Sequence, residues 1–230
     1  DFSGKPTVLV DGKTLKHKGA DVVIEEYEFN SDETKMLIAT NVASIYRYSY
    51  TAFYFVLDLK TNELQALDEK RPEQTLAEFS PNGEQVSYIF ENNIYVRNLL
   101  SGRVTPLTKD GKKNHIITGT TDWVYEEEFA ITKAYSWSPD SKQIAFLKFD
   151  ESQVKEFNMT YYGELYPELF TWKYPKAGED NSKVTLHVQP VNRRKSRCID
   201  LGSYEYIPRI AFSPISNTVL IQTLNRHQNT

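Results

Sequence analysis

One short segment recurs along the chain. It reads Phe79-Ser80-Pro81-Asn82-Gly83-Glu84-Gln85-Val86-Ser87-Tyr88-Ile89 in its clearest form and returns as Trp137-Ser138-Pro139-Asp140-Ser141-Lys142-Gln143-Ile144-Ala145-Phe146-Leu147. A third copy is Phe212-Ser213-Pro214-Ile215-Ser216-Asn217-Thr218-Val219-Leu220-Ile221, and a weaker one is Phe29-Asn30-Ser31-Asp32-Glu33-Thr34-Lys35-Met36-Leu37-Ile38. Each copy predicts strand, tight turn, strand. Pro presets φ at the first turn position, Asn, Asp or Gly tolerates the tighter ones, and alternating apolar residues follow. The aromatic anchors stand 50, 58 and 75 residues apart.

Between the copies lie further short apolar runs, such as Asn93-Ile94-Tyr95-Val96-Arg97 and residues 49–59. That makes about four strands per repeat, the pattern of a propeller blade. A β-sandwich with similar turns is the alternative, but sandwiches rarely repeat one turn sequence at this spacing. The expected fold class is therefore all-β, a partial propeller of about four blades anchored near 29–38, 79–89, 137–147 and 212–221. An arc of this kind leaves strand edges unpaired at both ends. The abundance of aromatics (15 Tyr, 12 Phe, 3 Trp) against ten Gly and ten Pro agrees with many short strands and turns.

Charge and cysteine usage exclude several function classes. A net charge of −4 argues against nucleic acid as a partner. No apolar run reaches the roughly 18 residues of a membrane span. Cys198 is the single cysteine, and no zinc-type spacing of Cys and His occurs, so neither a metal nor another cofactor is expected. The opening Asp1-Phe2-Ser3-Gly4-Lys5 has no initiator Met and no apolar leader, which is read as the interior of a longer precursor.

Two stretches interrupt the blade rhythm, residues 118–133 and 154–180, and extra length of this kind usually sits in loops with a function of their own. The first holds Asp122-Trp123-Val124-Tyr125-Glu126-Glu127-Glu128-Phe129-Ala130. The apolar neighbours draw this segment onto the body of the protein, so some carboxylate is held against a wall. Adjacent residues on a strand face opposite ways, and two neighbouring glutamates serve one ligand only from a turn or short helix, where they diverge by about 100°. Crowded carboxylates call for a positive partner. An internal one is Arg47, set in Ser44-Ile45-Tyr46-Arg47-Tyr48-Ser49-Tyr50, whose planar guanidinium suits bridging a carboxylate and a carbonyl oxygen. A solvated acidic face and a stacked surface arginine are the bland readings of these motifs.

Three motifs together, Asp122 to Glu128, Tyr46 to Tyr50, and Tyr174-Pro175-Lys176-Ala177-Gly178-Glu179-Asp180-Asn181, resemble the propeller domain of the dipeptidyl peptidase IV family, in matching order and spacing. The similarity runs essentially end to end, with the flavour of enzymes from Bacteroidetes-type bacteria. The resemblance implies a serine exopeptidase in which an eight-bladed propeller covers a C-terminal α/β-hydrolase domain. Matching the motifs residue by residue puts the two glutamates that grip a substrate's free α-amino group at Glu127 and Glu128. The arginine that binds the carbonyl of the second substrate residue, and braces the glutamates, falls on Arg47. The implied partner is a peptide with a free N-terminus, the implied products X-Pro or X-Ala dipeptides, and the implied location the periplasm or envelope of a bacterium.

A protonated amine offers three donors to two carboxylates, and since an extended residue spans roughly 3.3 Å, a fixed amine site acts as a ruler selecting the bond after the second residue. No Gly-x-Ser-x-Gly elbow occurs, and His17, His115, His187 and His227 sit in no triad pattern, so no catalytic residue is assigned and the segment alone is expected to be inactive.

The second stretch carries Phe157, Met159, Tyr161, Tyr162, Leu165, Tyr166, Leu169, Phe170 and Trp172, too many large apolar groups for an uncovered surface. By the resemblance it is a dimerisation arm, with Phe157, Tyr161, Tyr162, Leu165, Tyr166, Phe170 and Trp172 as contacts in a homodimer. The alternative is folding back on its own sheets. Other functional readings are a tripeptidyl-releasing relative, a non-catalytic binding module, and a propeller glycosidase. The last needs carboxyl groups at least ~5 Å apart across a sugar, which adjacent glutamates supply poorly.

Overall fold

The computed structural model describes residues 4, 6–193 and 195–229. Of the opening Asp1 to Lys5, only Gly4 lies among them, so the reading of that segment falls outside the described residues. A 3₁₀ turn, Gly12–Thr14, leads into a small hairpin of β1 (Lys16–His17) and β2 (Ala20–Asp21). The first sheet is an antiparallel meander of β3 (Glu26–Phe29), β4 (Lys35–Ser44), β5 (Tyr50–Asp58) and β6 (Glu63–Ala66). The second repeats it with β7 (Thr75–Phe79), β8 (Gln85–Phe90), β9 (Asn93–Asn98) and β10 (Val104–Pro106).

After β11 (Ile116–Thr118) and a helix α1 (Trp123–Phe129) comes the third sheet, begun by β12 (Tyr135–Trp137) and β13 (Gln143–Asp150). An excursion follows, the hairpin β14 (Glu156–Tyr161) and β15 (Glu168–Lys173), before β16 (Lys183–Pro190) and β17 (Arg197–Ile199) complete that sheet. β11 and β12 share one edge of the long β13, pairing with opposite ends of it. The last sheet consists of β18 (Tyr206–Phe212) and β19 (Val219–Leu224). The fold is all-β, an open row of blade-like sheets.

The repeated turn explains the regularity. In every copy the aromatic anchor ends one strand and pairs with the residue seven positions on: Phe29 with Met36, Phe79 with Val86, Trp137 with Ile144, Phe212 with Val219. Within the turn the Ser80 hydroxyl donates to Asn82 Oδ1 at 2.8 Å, and Ser138 does the same to Asp140 at 2.6 Å. The turns also bond to one another across sheets. Ser31 donates to the Pro81 carbonyl at 2.9 Å, the Asn82 N–H to Ser141 Oγ at 3.0 Å, and Asn217 Nδ2 to Asp140 Oδ2 at 2.9 Å. One local motif thus sets the hairpin register and the adjacency of neighbouring sheets.

The core lies between sheets. Leu37, Tyr54, Val56, Phe79, Val86 and Tyr88 fill the first layer, and Ile89, Ile94, Val96, Trp137, Ile144 and Phe146 the second. Leu147, Phe149, Val184, Leu186, Tyr206 and Ile207 fill the third. Each central strand is buried on both faces. On β4, Leu37 and Ala39 face the second sheet, whereas Met36 and Ile38 pack with Leu15 and Val22 of the N-terminal segment.

Candidate functional site

The chain leaves the third sheet's edge at Gly119, where the backbone passes too close to the second sheet for any side chain. A Cβ there would lie 2.7 Å from Ile89 Cδ1 and 2.8 Å from Ile94 Cγ1, at a φ of +79°. The loop closes at a neck where Thr120 bridges Lys133, with the Thr120 and Thr121 hydroxyls donating to the carbonyls of Thr132 (3.1 Å) and Ile131 (2.9 Å). Inside this neck sits α1.

Asp122 starts the helix as its N-cap. Its Oδ1 accepts the Tyr125 N–H at 3.0 Å and its Oδ2 the Ser182 hydroxyl at 2.6 Å. Burial pushes the Asp122 carboxyl above the usual range, and these donors pull against that rise. Tyr125, one helical turn on, is fully buried against Phe129 and Phe149, and its hydroxyl accepts the Ile207 N–H at 2.9 Å. At the other end Arg209 donates to the Phe129 carbonyl at 3.0 Å. A seven-residue helix is too short to persist on its own, so these anchors to the third and fourth sheets hold it.

With Tyr125 turned inward, the three glutamates that follow have different surroundings. Glu126 is 1% exposed, and its Oε1 accepts two backbone N–H groups, Tyr48 at 2.7 Å and Ser49 at 2.8 Å. Glu127 is half-buried and its Oε2 accepts Arg47 Nε at 2.9 Å. Glu128 is exposed. The structure therefore brings Arg47 and Glu127 together across a sequence separation of 80 residues and leaves Glu128 on the same short helix facing solvent. The Arg47 side chain is 66% exposed, so the ion pair contributes at most about 1 kcal/mol to stability and acts chiefly to orient the guanidinium. With Nε engaged, its two terminal nitrogens have no hydrogen-bond partner among the described residues and can donate elsewhere.

The sequence reading takes Glu127 and Glu128 as a pair by resemblance and gives Glu126 no role, because three identical residues in a row carry no phase of their own. The signal that sets the phase is Asp122: an N-cap aspartate places Tyr125 at the first inward position and Glu126 beside it.

Behind the helix a cavity of about 690 Å³ is bordered by Tyr46, Asp122, Trp123, Glu126, Glu151 and Trp172, among others. Glu151, the residue after β13, is pushed up to about 7, mainly by burial and then by the nearby Asp122 carboxylate, with Lys173 opposing. Aromatic contacts tie the root of the β14–β15 hairpin to both halves of the site. Trp172 packs on Tyr46 with ring centroids 5.1 Å apart, and Tyr174 on Trp123 at 4.5 Å.

Beyond its root the hairpin is a two-stranded sheet of its own. Phe157, Tyr161, Tyr162, Leu165, Tyr166 and Phe170 are all exposed, with Leu165 at 89% and Tyr166 at 80%, and only Trp172 is half-buried. This part of the excursion does not fold back onto the sheets. Of the histidines, His187 comes within 3.3 Å of Ser196 Oγ, but its other ring nitrogen faces the Thr185 hydroxyl at 3.0 Å rather than a carboxylate.

The comparisons with known proteins agree with this architecture. The chain is 38% identical over 188 residues to dipeptidyl aminopeptidase B of Saccharomyces cerevisiae, covering 79% of this chain and 22% of the yeast protein. It is 32% identical over 234 residues to the mouse prolyl endopeptidase FAP, covering 96% of this chain and 30% of that protein. Among solved structures it matches the crystal structure of Porphyromonas gingivalis dipeptidyl peptidase 4 with a TM-score of 0.86 and 41% identity, over 90% of this chain and 30% of the other. The chain thus spans about a quarter of the length of these relatives. The sequence profile described as "Dipeptidyl peptidase IV (DPP IV) N-terminal region" matches residues 30–230, and on that match, with the fold and the relatives in agreement, the chain belongs to the dipeptidyl peptidase IV N-terminal region family.

Proposed function

We propose that this chain is the substrate-gating, amine-recognising part of a serine exopeptidase that releases X-Pro or X-Ala dipeptides from peptide N-termini, the hydrolytic residues residing in a C-terminal α/β-hydrolase domain. The observation that carries the reading is the ion pair between Arg47 Nε and Glu127 Oε2 at 2.9 Å, which joins two motifs far apart in sequence. Glu127 and Glu128 accept hydrogen bonds from the substrate's protonated α-amine. Arg47 donates from its free terminal nitrogens to the carbonyl of the second substrate residue. Two extended residues span roughly 7 Å, so an amine held here presents the peptide bond after the second residue to a nucleophile fixed at that distance. A peptide with a blocked amine supplies no donor to the glutamates and is refused.

The same reading makes the β14–β15 hairpin a dimerisation arm, supported by its exposed row of aromatics, Phe157, Tyr161, Tyr162, Tyr166 and Phe170. It makes the row of sheets an arc of an eight-bladed ring. A bacterial periplasm or envelope is the location that goes with this reading, and the similarity to a Porphyromonas gingivalis protein supports its bacterial part. Among the described residues no helix is long and apolar enough to cross a membrane.

The test is steady-state kinetics of the full-length protein on a chromogenic X-Pro dipeptide substrate and on its counterpart lacking the α-amino group. Arg47→Ala and Glu128→Gln are expected to raise KM and lower kcat/KM by about 10- to 100-fold on the first substrate, the weight of one or two charge-assisted hydrogen bonds. The Glu128 variant is expected to be indifferent on the second. Wild-type kinetics for both variants on the first substrate would overturn the reading.

A further inference from the structure

The glutamate that the amine clasp does not use is the one most firmly held. Glu126 immediately precedes Glu127 on α1, and the rotation of about 100° per residue sends the two side chains to different faces. Glu127 reaches the Arg47 guanidinium, while Glu126 turns inward, 1% exposed, and meets the Arg47 loop from beneath. One oxygen, Oε1, accepts both the Tyr48 N–H at 2.7 Å and the Ser49 N–H at 2.8 Å.

Those two amides directly follow Arg47. They lie in the five-residue connection 45–49 between β4 and β5, where the strand ladder has ended and such donors have no cross-strand partner. The other bonds inside the connection are the Ile45 N–H to the Ser49 carbonyl at 2.8 Å and the Tyr46 N–H to Ser49 Oγ at 3.3 Å. Both close the loop on Ser49, the residue that Glu126 grips. The Arg47 side chain has a single hydrogen bond among the described residues, to Glu127. Its position therefore depends on the backbone beneath it.

We infer that Glu126 is a positioning residue, whose buried carboxylate clamps the Tyr48 and Ser49 amides to α1 and thereby sets the Arg47 guanidinium at the correct distance from Glu127 and from the substrate carbonyl. The neighbouring glutamates act on one arginine in different ways, Glu127 orienting the guanidinium and Glu126 orienting the chain that bears it. The inference rests on the reading of Arg47, Glu127 and Glu128 as the substrate clasp. Glu126 touches no substrate and acts only through the loop. A misplacement of about 1 Å at such a contact is enough to cost on the order of 100-fold in rate.

The experiment is a double-mutant cycle in the full-length protein, with Glu126→Ala, Arg47→Ala, the pair combined, and Glu126→Gln, assayed on a chromogenic X-Pro dipeptide. Glu126→Ala is expected to lower kcat/KM about tenfold or more, chiefly through KM. Glu126→Gln, whose amide oxygen accepts the same two N–H groups, is expected to recover most of that loss. The combined variant is expected to fall within about twofold of Arg47→Ala alone, because a residue that acts through Arg47 has nothing left to position once Arg47 is gone. Multiplying losses in the combined variant, a Gln variant as impaired as the Ala variant, or wild-type kinetics for Glu126→Ala would each overturn the inference. Should Glu126→Ala fail to fold, Glu126→Asp, with its acceptor one methylene too short, replaces it in the same cycle under the same criteria. The two levels separate cleanly. Wild-type kinetics for Arg47→Ala and Glu128→Gln removes the underlying reading, whereas impairment there with an unaffected Glu126→Ala removes this inference alone.

Discussion

The two excursions from the sheets, residues 118–133 and 154–180, are both rich in aromatics, and the structure treats them in opposite ways. The first is bound down along its length. Its neck is bridged, Asp122 and Tyr125 are buried and hydrogen-bonded to residues far along the chain, and Glu126 holds a loop of the first sheet. The second is held at its root, by Trp172 on Tyr46 and by Tyr174 on Trp123, and then projects as a hairpin whose side chains face solvent. The difference lies in the polar groups. The buried polar groups of the first loop, on Asp122, Tyr125 and Glu126, each find a partner in a neighbouring element, so the loop docks at low polar cost. The strands of the second satisfy their backbone against each other and have no need of the sheets, which leaves their aromatic faces for another surface.

The contrast is open to direct measurement of stability in the full-length protein. The largest expected effect is Tyr125→Ala, about 3–5 kcal/mol by denaturant unfolding, since it opens a cavity among Phe129, Phe149 and Tyr206 and orphans the Ile207 N–H. Equal losses at Tyr125 and at Tyr166 would break the comparison.

Glu151 sharpens it, because this residue lies where the two excursions meet. Its folded-state pKa of about 7 stands above the ordinary 4.5, so the folded protein keeps a proton that the unfolded chain has released. The stabilisation this provides is complete below about pH 4.5 and is lost as pH rises through 7. Glu151→Gln is therefore expected to gain on the wild type between these limits, by on the order of 1–3 kcal/mol, and to hold a constant advantage above them. A gap independent of pH would show that the charge is not buried there.

Asp122→Ala is expected to destabilise by about 1–2 kcal/mol through loss of the helix cap, with Asp122→Asn retaining much of it. Thermal unfolding of the two variants side by side checks this. The smallest effect is expected in the arm. Leu165→Ser and Tyr166→Ser should change unfolding stability by less than about 0.5 kcal/mol, while sedimentation of the full-length protein shifts toward the monomer if the arm is an interface. A large stability loss with unchanged sedimentation would instead place these residues in a core.

Much of the fold was legible because it is local. The aromatic anchor and the apolar strand after the turn pair at a fixed seven-residue offset in all four copies, three of them with a Ser-Pro turn, so the sheets follow from interactions among near neighbours. The helix was legible only as a turn or a helix, since one short amphipathic stretch has too few residues to display a period. Its phase, and with it the difference between Glu126 and Glu127, rests on Asp122 meeting Ser182, 60 residues away. The arm was ambiguous for a related reason: aromatic alternation on a hairpin is the same whether its faces are covered or bare.

By itself, then, the order of amino acids determined the class of fold, the repeated hairpin register and the residue types able to hold a cationic amine. Only the tertiary structure decided which glutamate faces Arg47, which is buried beneath its loop, and which excursion docks. Turn chemistry acts over a few bonds and is written in adjacent residues. A contact across 80 residues exists only after two intervening layers of side chains have packed and set the distance between the first sheet and the third.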